Sequence, residues 1–407
     1  VKDKDFRFVD YLTINAYWFA LAFTANSLHP IILPAMVEEL VPKALKATCL
    51  GLLIFAGLVV AIVVQPIMGA ISDRSTSRFG RRRPFILSGT LLDLVFLTAI
   101  AFAKDYSTLF LALLSLQFSS NIAHGAYQGL IPDIFPQDKR GTASGAKSLM
   151  EISGAIGAFL VTGHLVERGG NSLAIGFVMA VLLLSMLVTI LAVREKPLGK
   201  LQEKPIIEVI LSTFKIDFRK RGFVWWLTNR FLFFMGLSSI QTFLFYFIKD
   251  VAGLPNPAEA VGGLGAMIGI AVLLISLPIG YLADRVGRKP ILVISGLGAF
   301  LGIILLPFAR SYLELLACGG FLGLSAGAFV TVGWALATDI VPKEEAGRYL
   351  GVTNLATAGG SAIARLGGTL VDFFNTLSAG MGYTVIFILD GLCFVLATLS
   401  ILKVRET

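Results

Sequence analysis

Apolar runs of about 18–25 residues recur along the whole chain, and nothing else limits its possible folds so strongly. A run of that length crosses the roughly 30 Å hydrocarbon core as a helix, and in lipid only helices and closed barrels satisfy every backbone N–H and C=O. About twelve such runs are predicted, over 10–36, 48–72, 84–103, 107–132, 142–166, 172–193, 223–248, 260–283, 290–309, 312–338, 347–373 and 382–403. Short segments of alternating polarity, which would mark a membrane β-barrel, are absent. The first run is followed by no cleavage-like site and leads at once into the second, so it reads as a retained span and not as a signal peptide. A hydrophobic fraction of 56% and a mean hydropathy of +0.81 exclude an ordinary soluble domain.

The net charge of +8 would suit a nucleic-acid partner if it were clustered on one surface. Instead, most of the 34 Lys and Arg fall in alternate interhelical loops and the tails. This is the positive-inside bias, and it sets both termini in the cytoplasm; the expected location is a prokaryotic inner (plasma) membrane. The expected partners are a small-molecule substrate and the lipid bilayer, with no nucleic acid, and the expected state is a monomer. Cys49, Cys318 and Cys393 stand singly without metal-ligand or redox spacing and read as small packing residues. No metal site, cofactor or nucleotide-binding loop is expected.

The longest polar interval, 194–222, separates an N-terminal half (1–193) from a C-terminal half (223–407) of about six spans each. The halves echo one another. Gly69-Ala-Ile-Ser-Asp73-Arg74 recurs as Gly280-Tyr-Leu-Ala-Asp284-Arg285, and Asp133-Ile-Phe-Pro136 recurs as Asp339-Ile-Val-Pro342, with Gly141 and Gly347 five residues beyond each proline. Offsets of 211 and 206 residues in the same chain order indicate a parallel repeat about an axis along the membrane normal.

The string Gly280-x-x-x-Asp284-Arg285-x-Gly287-Arg288-Lys289 resembles the signature loop of the major facilitator superfamily, and 69–83 is its longer first-half copy. The resemblance covers the chain. It implies an all-α membrane protein with the major facilitator fold, about twelve transmembrane helices in two pseudo-symmetric six-helix halves. It further implies that Gly69, Asp73, Arg74, Gly80 and Arg81, with Gly280, Asp284, Arg285, Gly287 and Arg288, form cytoplasmic latches. The expanded loop SDRSTSRFGRRRPFI is similar to that of the sucrose-type proton symporters and of the glycoside-pentoside-hexuronide cation symporters. Gln65 stands where the latter carry acids. His124 and Gln128 stand where the former carry glutamine and arginine.

The residues of the loop make a physical demand of their own. Asp73 lies at the negative end of its helix dipole and needs a cation, with Arg74, Arg78, Arg81, Arg82 and Arg83 as candidates. Arg82 and Arg83 read more readily than the others as topology anchors.

Polar groups at membrane depth are costly and so mark a pathway. Gln117, Asn121, His124 and Gln128 fall on one helical face. Asn15, Asn26 and His29 share a broadly similar face of the first span, and Pro30 is expected to bend it. Arg230 and Gln241 repeat the spacing of Asn15 and Asn26, while Thr331 and Trp334 lie in the second half where Gly125 and Gln128 lie in the first. For proton coupling Glu151 ranks ahead of Asp93, because the resemblance makes the third span peripheral. These features support an alternating-access secondary transporter of a small organic solute, with proton-coupled sugar or glycoside symport leading. A proton-driven exporter of amphipathic compounds or lipids is the alternative. Three scattered histidines and three scattered cysteines assemble no nucleophile–base or metal constellation, so the chain is not expected to be an enzyme.

Overall fold

A computed structural model describes residues 6–193, 195, 221–340 and 346–404, without the side chains of 338 and 346–351. Most of the 194–222 interval, and Pro342, lie outside the described residues. Every described element is helical. In chain order these are α1 (Phe8–Ser27), α2 (Leu33–Leu40), α3 (Lys46–Asp73), α4 (Arg83–Ala101), α5 (Tyr106–Gln128), α6 (Leu130–Ile134) and α7 (Arg140–Ala192). They continue as α8 (Arg221–Phe247), α9 (Pro257–Val286), α10 (Arg288–Leu305), α11 (Tyr312–Ile340), α12 (Ala346–Arg365), α13 (Gly368–Leu377) and α14 (Met381–Leu402).

Each of the twelve expected runs is helical. By length and composition, nine stretches among the described residues can cross a membrane, and one of these, Gln137–Ala192, holds two expected runs. They meet at Gly170, whose φ of +75° breaks α7 in a region that disfavours side-chain-bearing residues. Pro30 does not end its helix. It sits in a π-helical turn, Leu28–Ile32, that joins α1 to α2, so the wider turn accommodates the missing N–H.

Packing divides the chain into two compact units, residues 1–28 with 56–212, and residues 29–55 with 213–407. In the first unit α1 lies along α7, and α4 packs on α5 and α7. Glycine permits the close approaches: a Cβ on Gly154 would stand 2.2 Å from the Phe19 carbonyl oxygen. In the second unit α8 packs between α12 and α14, α9 lies on α11, and α10 bridges α11 and α14. The segment 29–55 completes this second unit, where the start of α3 runs so close to α12 and α13 that a Cβ on Gly368 would meet the Ala47 carbonyl oxygen at 2.0 Å. Leu and Val side chains along α7, α9, α10 and α14 remain exposed, as expected of surfaces that face lipid.

Candidate functional site

The loop after α3 is organised by Arg82. Gly80 takes φ +108°, open to glycine, and turns the chain toward α4, whose first turn holds Pro84 where no intrahelical N–H bond is needed. Arg82 is 4% exposed. Its guanidinium donates to Asp73, to Asp133 (Nε to Oδ2, 2.9 Å), to the Ser72 hydroxyl and to the Gly69 carbonyl (3.4 Å). The group lies against Gly129, where a Cβ would stand 2.2 Å from Nη2. Arg81 also donates to Asp133 and lies 3.8 Å from Asp73, while Arg74 is half-buried on the turn. Glu195 accepts from the backbone N–H of Arg82 (2.8 Å) and of Arg83 (3.2 Å), placing a carboxylate on the positive end of α4. The demand that Asp73 makes for a cation is therefore met by Arg82, the residue that reads from sequence as an anchor.

In the second unit Gly287, at φ +91°, separates α9 from α10, and Arg288 pairs with Asp339. Arg82 stands 51 residues before Asp133, and Arg288 has the same separation from Asp339. The two arginines are thus equivalent. Counting forward from Gly80 and Gly287 aligns Arg81 with Arg288, whereas counting back from Pro84 and Pro290 gives the register that the ion pairs follow. Asp284 is exposed, Arg285 lies over the Tyr281 ring at 4.4 Å, and a Cβ on Gly280 would reach Thr331 at 3.7 Å.

On α5 only part of the polar stripe meets other polar side chains. Asn121 turns back on its own helix, Nδ2 donating to the Gln117 carbonyl (2.7 Å), and Gln117 lies against Gly57. His124 stands between two amides, its Nδ1 3.4 Å from Gln65 Nε2 and its Nε2 3.2 Å from Gln128 Nε2. A neutral imidazole accepts at one nitrogen and donates at the other, so only one of these two amide nitrogens can donate to the ring, and the other amide bonds it by turning its oxygen inward. Gly125 brings Gln65 there, since a Cβ on it would stand 2.5 Å from the Gln65 carbonyl oxygen and 3.1 Å from the Gly69 nitrogen. Trp18 of α1 meets the imidazole edge-on, with ring centroids 5.2 Å apart. Lys147 of α7 lies 4.0 Å over the Trp18 ring and 3.5 Å from the Glu151 carboxylate. Gln65, His124, Gln128, Trp18, Lys147 and Glu151 therefore form one polar group inside the first unit. Gln65 enters the sequence reading only as a departure from a pattern, and no periodicity singles out Trp18.

The other sequence candidates are placed elsewhere. Asn15 is buried, donating to Tyr11 O (2.8 Å) and to Ala143 O on α7 (3.4 Å); Asn26 donates to Ala22 O (2.8 Å). His29 lies in the π-helical turn, and Gln241 is exposed. Asp93 is buried and accepts from Ser119, two residues from Asn121 and so on the far side of α5 from the stripe. In the second unit Arg230 donates from Nε to Thr357 Oγ1 at 2.7 Å, and its guanidinium faces the rings of Trp334 (4.8 Å) and Phe234 (5.0 Å).

A further cluster has no counterpart among the sequence candidates. At the end of α3 opposite Asp73, Lys46 is buried between Glu38 (3.0 Å) and Asp250 (2.8 Å), 4.6 Å over the Tyr246 ring. Lys249 donates to the other Glu38 oxygen (2.7 Å), and Tyr383 donates to Asp250. Asp372 accepts from the Ala47 and Thr48 N–H groups at 3.2 and 2.7 Å, in the first turn of α3.

The family model of the Major Facilitator Superfamily matches residues 7–276 and 258–407. The multi-drug resistance efflux pump PmrA of Streptococcus pneumoniae strain TIGR4 is 25% identical over 406 residues, covering 96% of each chain. The putative metabolite transport protein YwtG of Bacillus subtilis is 25% identical over 404 residues, 88% of this chain and 85% of its own. Multidrug resistance protein MdtG of Escherichia coli O9:H4 is 24% identical, with coverages of 90% and 88%. Among solved structures, the nucleoside transporter NupG superposes with a TM-score of 0.73 at 15% identity over 98% of this chain and 99% of its own. A bacterial homologue of the lysosomal transporter Spinster gives 0.73 at 16% over 100% and 99%. Helices of membrane-spanning length, the repeated loops and the match across the chain lead to one conclusion: this chain belongs to the major facilitator superfamily and is an integral membrane transporter, not an enzyme.

Proposed function

We propose that the protein is a secondary active transporter that carries a hydroxylated, sugar-like solute in symport with protons by alternating access. The observation that carries this reading is the neutral donor–acceptor group of Gln65, His124 and Gln128 beside Trp18. Amides and an imidazole match hydroxyls in both directions, and an indole can cover the apolar face of a pyranose. The nearby charges neutralise each other, Lys147 against Glu151, so this group holds no unpaired acid to attract a cation. Glu151 is assigned the proton, because its protonation frees Lys147 and changes the charge beside the solute group. The protein acts as a monomer in a prokaryotic plasma membrane with both termini cytoplasmic, and the Arg82–Asp133 and Arg288–Asp339 loops serve as inner latches.

A second reading, proton-driven export of amphipathic compounds, is favoured by the relatives PmrA and MdtG, both named as multidrug proteins. Proteoliposomes with an imposed pH gradient separate the two. Symport requires concentrative uptake of a labelled sugar, neutral or acidic, abolished in Glu151→Gln while exchange at equal pH persists. Concentrative uptake in Glu151→Gln removes that residue from coupling. Extrusion of a lipophilic cation with no sugar uptake replaces symport by export.

A further inference from the structure

Among the described residues of the second unit, the buried guanidiniums of Arg230 and Arg365 have no counter-ion. Arg230 is 3% exposed, yet no carboxylate among the described residues lies within ion-pair distance of it. Nε is used by Thr357, while Nη1 is buried with no hydrogen-bond partner. The rings of Trp334, Phe234 and Trp226 surround the group at 4.8, 5.0 and 6.0 Å. The same α8–α12 seam continues through a Ser238–Ser361 hydrogen bond (2.8 Å) to Arg365, which donates to the Ser361 carbonyl and leaves its own buried Nε without a partner. Asp390 of α14 is buried and meets α8 through its backbone carbonyl at Gly236, about 120° round the helix from Arg230, and no ion pair joins its carboxylate to either arginine.

Burying a guanidinium without an anion costs several kcal/mol, and a helix seam gains nothing from it that a glutamine or methionine would not supply. Two such groups lie on one seam, each with a buried N–H that no described residue accepts. Arginine presents planar forked donors suited to carboxylate or phosphate oxygens, and the surrounding rings exclude the water that would otherwise compete.

We infer that Arg230, supported by Thr357 and Trp334, is an anion-binding site within the second unit, and that the protein takes an acidic sugar bearing a carboxylate or a phosphate ester. This rests on the hydroxylated-solute reading above but not on its proton coupling.

The test is ligand-dependent thermal stabilisation of the purified full-length protein, with glucuronate, glucose 6-phosphate, neutral glucose and phosphatidylglycerol as probes. One of the two acids is expected to stabilise at concentrations roughly ten- to a hundredfold below glucose, the range of a charge-assisted hydrogen-bond pair. Arg230→Gln is expected to erase that preference, leaving the response to glucose. The melting temperature of the ligand-free variant should hold or rise, since an uncompensated charge has been removed. If that variant cannot be purified, Arg230→Lys and Thr357→Val should each reduce the acid-over-neutral ratio. Equal response to acid and neutral sugars, no response to either acid, or a preference unchanged by the Arg230 or Thr357 variants overturns the subsite. An Arg230-dependent response to phosphatidylglycerol alone overturns the solute assignment in favour of a lipid headgroup. Failure of pH-driven uptake with the acid preference intact would instead remove only the coupling.

Discussion

Replacing Arg82 with alanine should be among the most damaging single changes in the loops. The side chain donates to Asp133, which is 23% exposed, and a charged hydrogen bond of that kind contributes about 1.5–3 kcal/mol. Asp73 is 46% exposed, so solvent screening limits its share to about 1 kcal/mol or less, and the Ser72 hydroxyl adds about 1 kcal/mol. The total, roughly 2.5–5 kcal/mol, overlaps the cost of breaking a buried ion pair from one side. Arg81→Ala leaves Asp133 bound to Arg82 and should cost no more than about 1 kcal/mol; Arg288→Ala, facing a half-exposed Asp339, should cost about as little. Denaturant or thermal unfolding of the purified variants ranks the three. A double-mutant cycle between Arg82→Ala and Asp133→Ala should give a coupling of about 2 kcal/mol. Equal damage from Arg81→Ala and Arg82→Ala, or a coupling below about 0.5 kcal/mol, would refute the placement of Arg82 at the hub.

Gly125→Ala should push α5 from α3, since the new Cβ would meet backbone on both sides; yield should fall, and binding by the His124 group should fall further than the yield. Lys46→Met removes the cation between Glu38 and Asp250 and should destabilise by about 3 kcal/mol, read as a lower unfolding midpoint, with Glu38→Gln partly restoring it. Asp105 caps α5 through the Thr108 hydroxyl and N–H, and those bonds hold its carboxyl below the usual carboxylate range. A depressed folded-state value contributes stability that is present above the unfolded value, about 3.9, and is lost as pH falls through the folded one. Asp105→Ala should therefore lower the midpoint at neutral pH, and its difference from wild type should shrink as pH drops below about 4; a constant difference would remove the charge from the cap.

The spans are legible because lipid demands long apolar helices, and even the break between two of them coincides with Gly170. Side-chain partners are less legible. The stripe on α5 follows from periodicity, but whether a polar residue meets a neighbour or bonds its own helix depends on local room: Asn121 reaches Gln117, whereas His124 reaches α3 only because Gly125 lets α3 approach. Arg81 and Arg82 are indistinguishable by residue type, and only the register set by Pro84 separates them. Thr357 has no signature at all, because a threonine within a helix is unremarkable until an arginine arrives from another one. Lys46 looks like an ordinary loop lysine, since Asp250 lies 204 residues away.

The membership of residues 29–55 in the second unit bears on how the protein is made. The ribosome finishes Lys46 and its first partner Glu38 long before Asp250 and Asp372 exist, so the start of α3 must wait, already in the membrane, for its second carboxylate and its cap. A gene divided within 194–222 would separate Asp372 from the N–H groups it caps, and Asp250 from its lysine. The C-terminal fragment would then lack a piece of its own core, and the two fragments should restore a folded protein only when synthesised together.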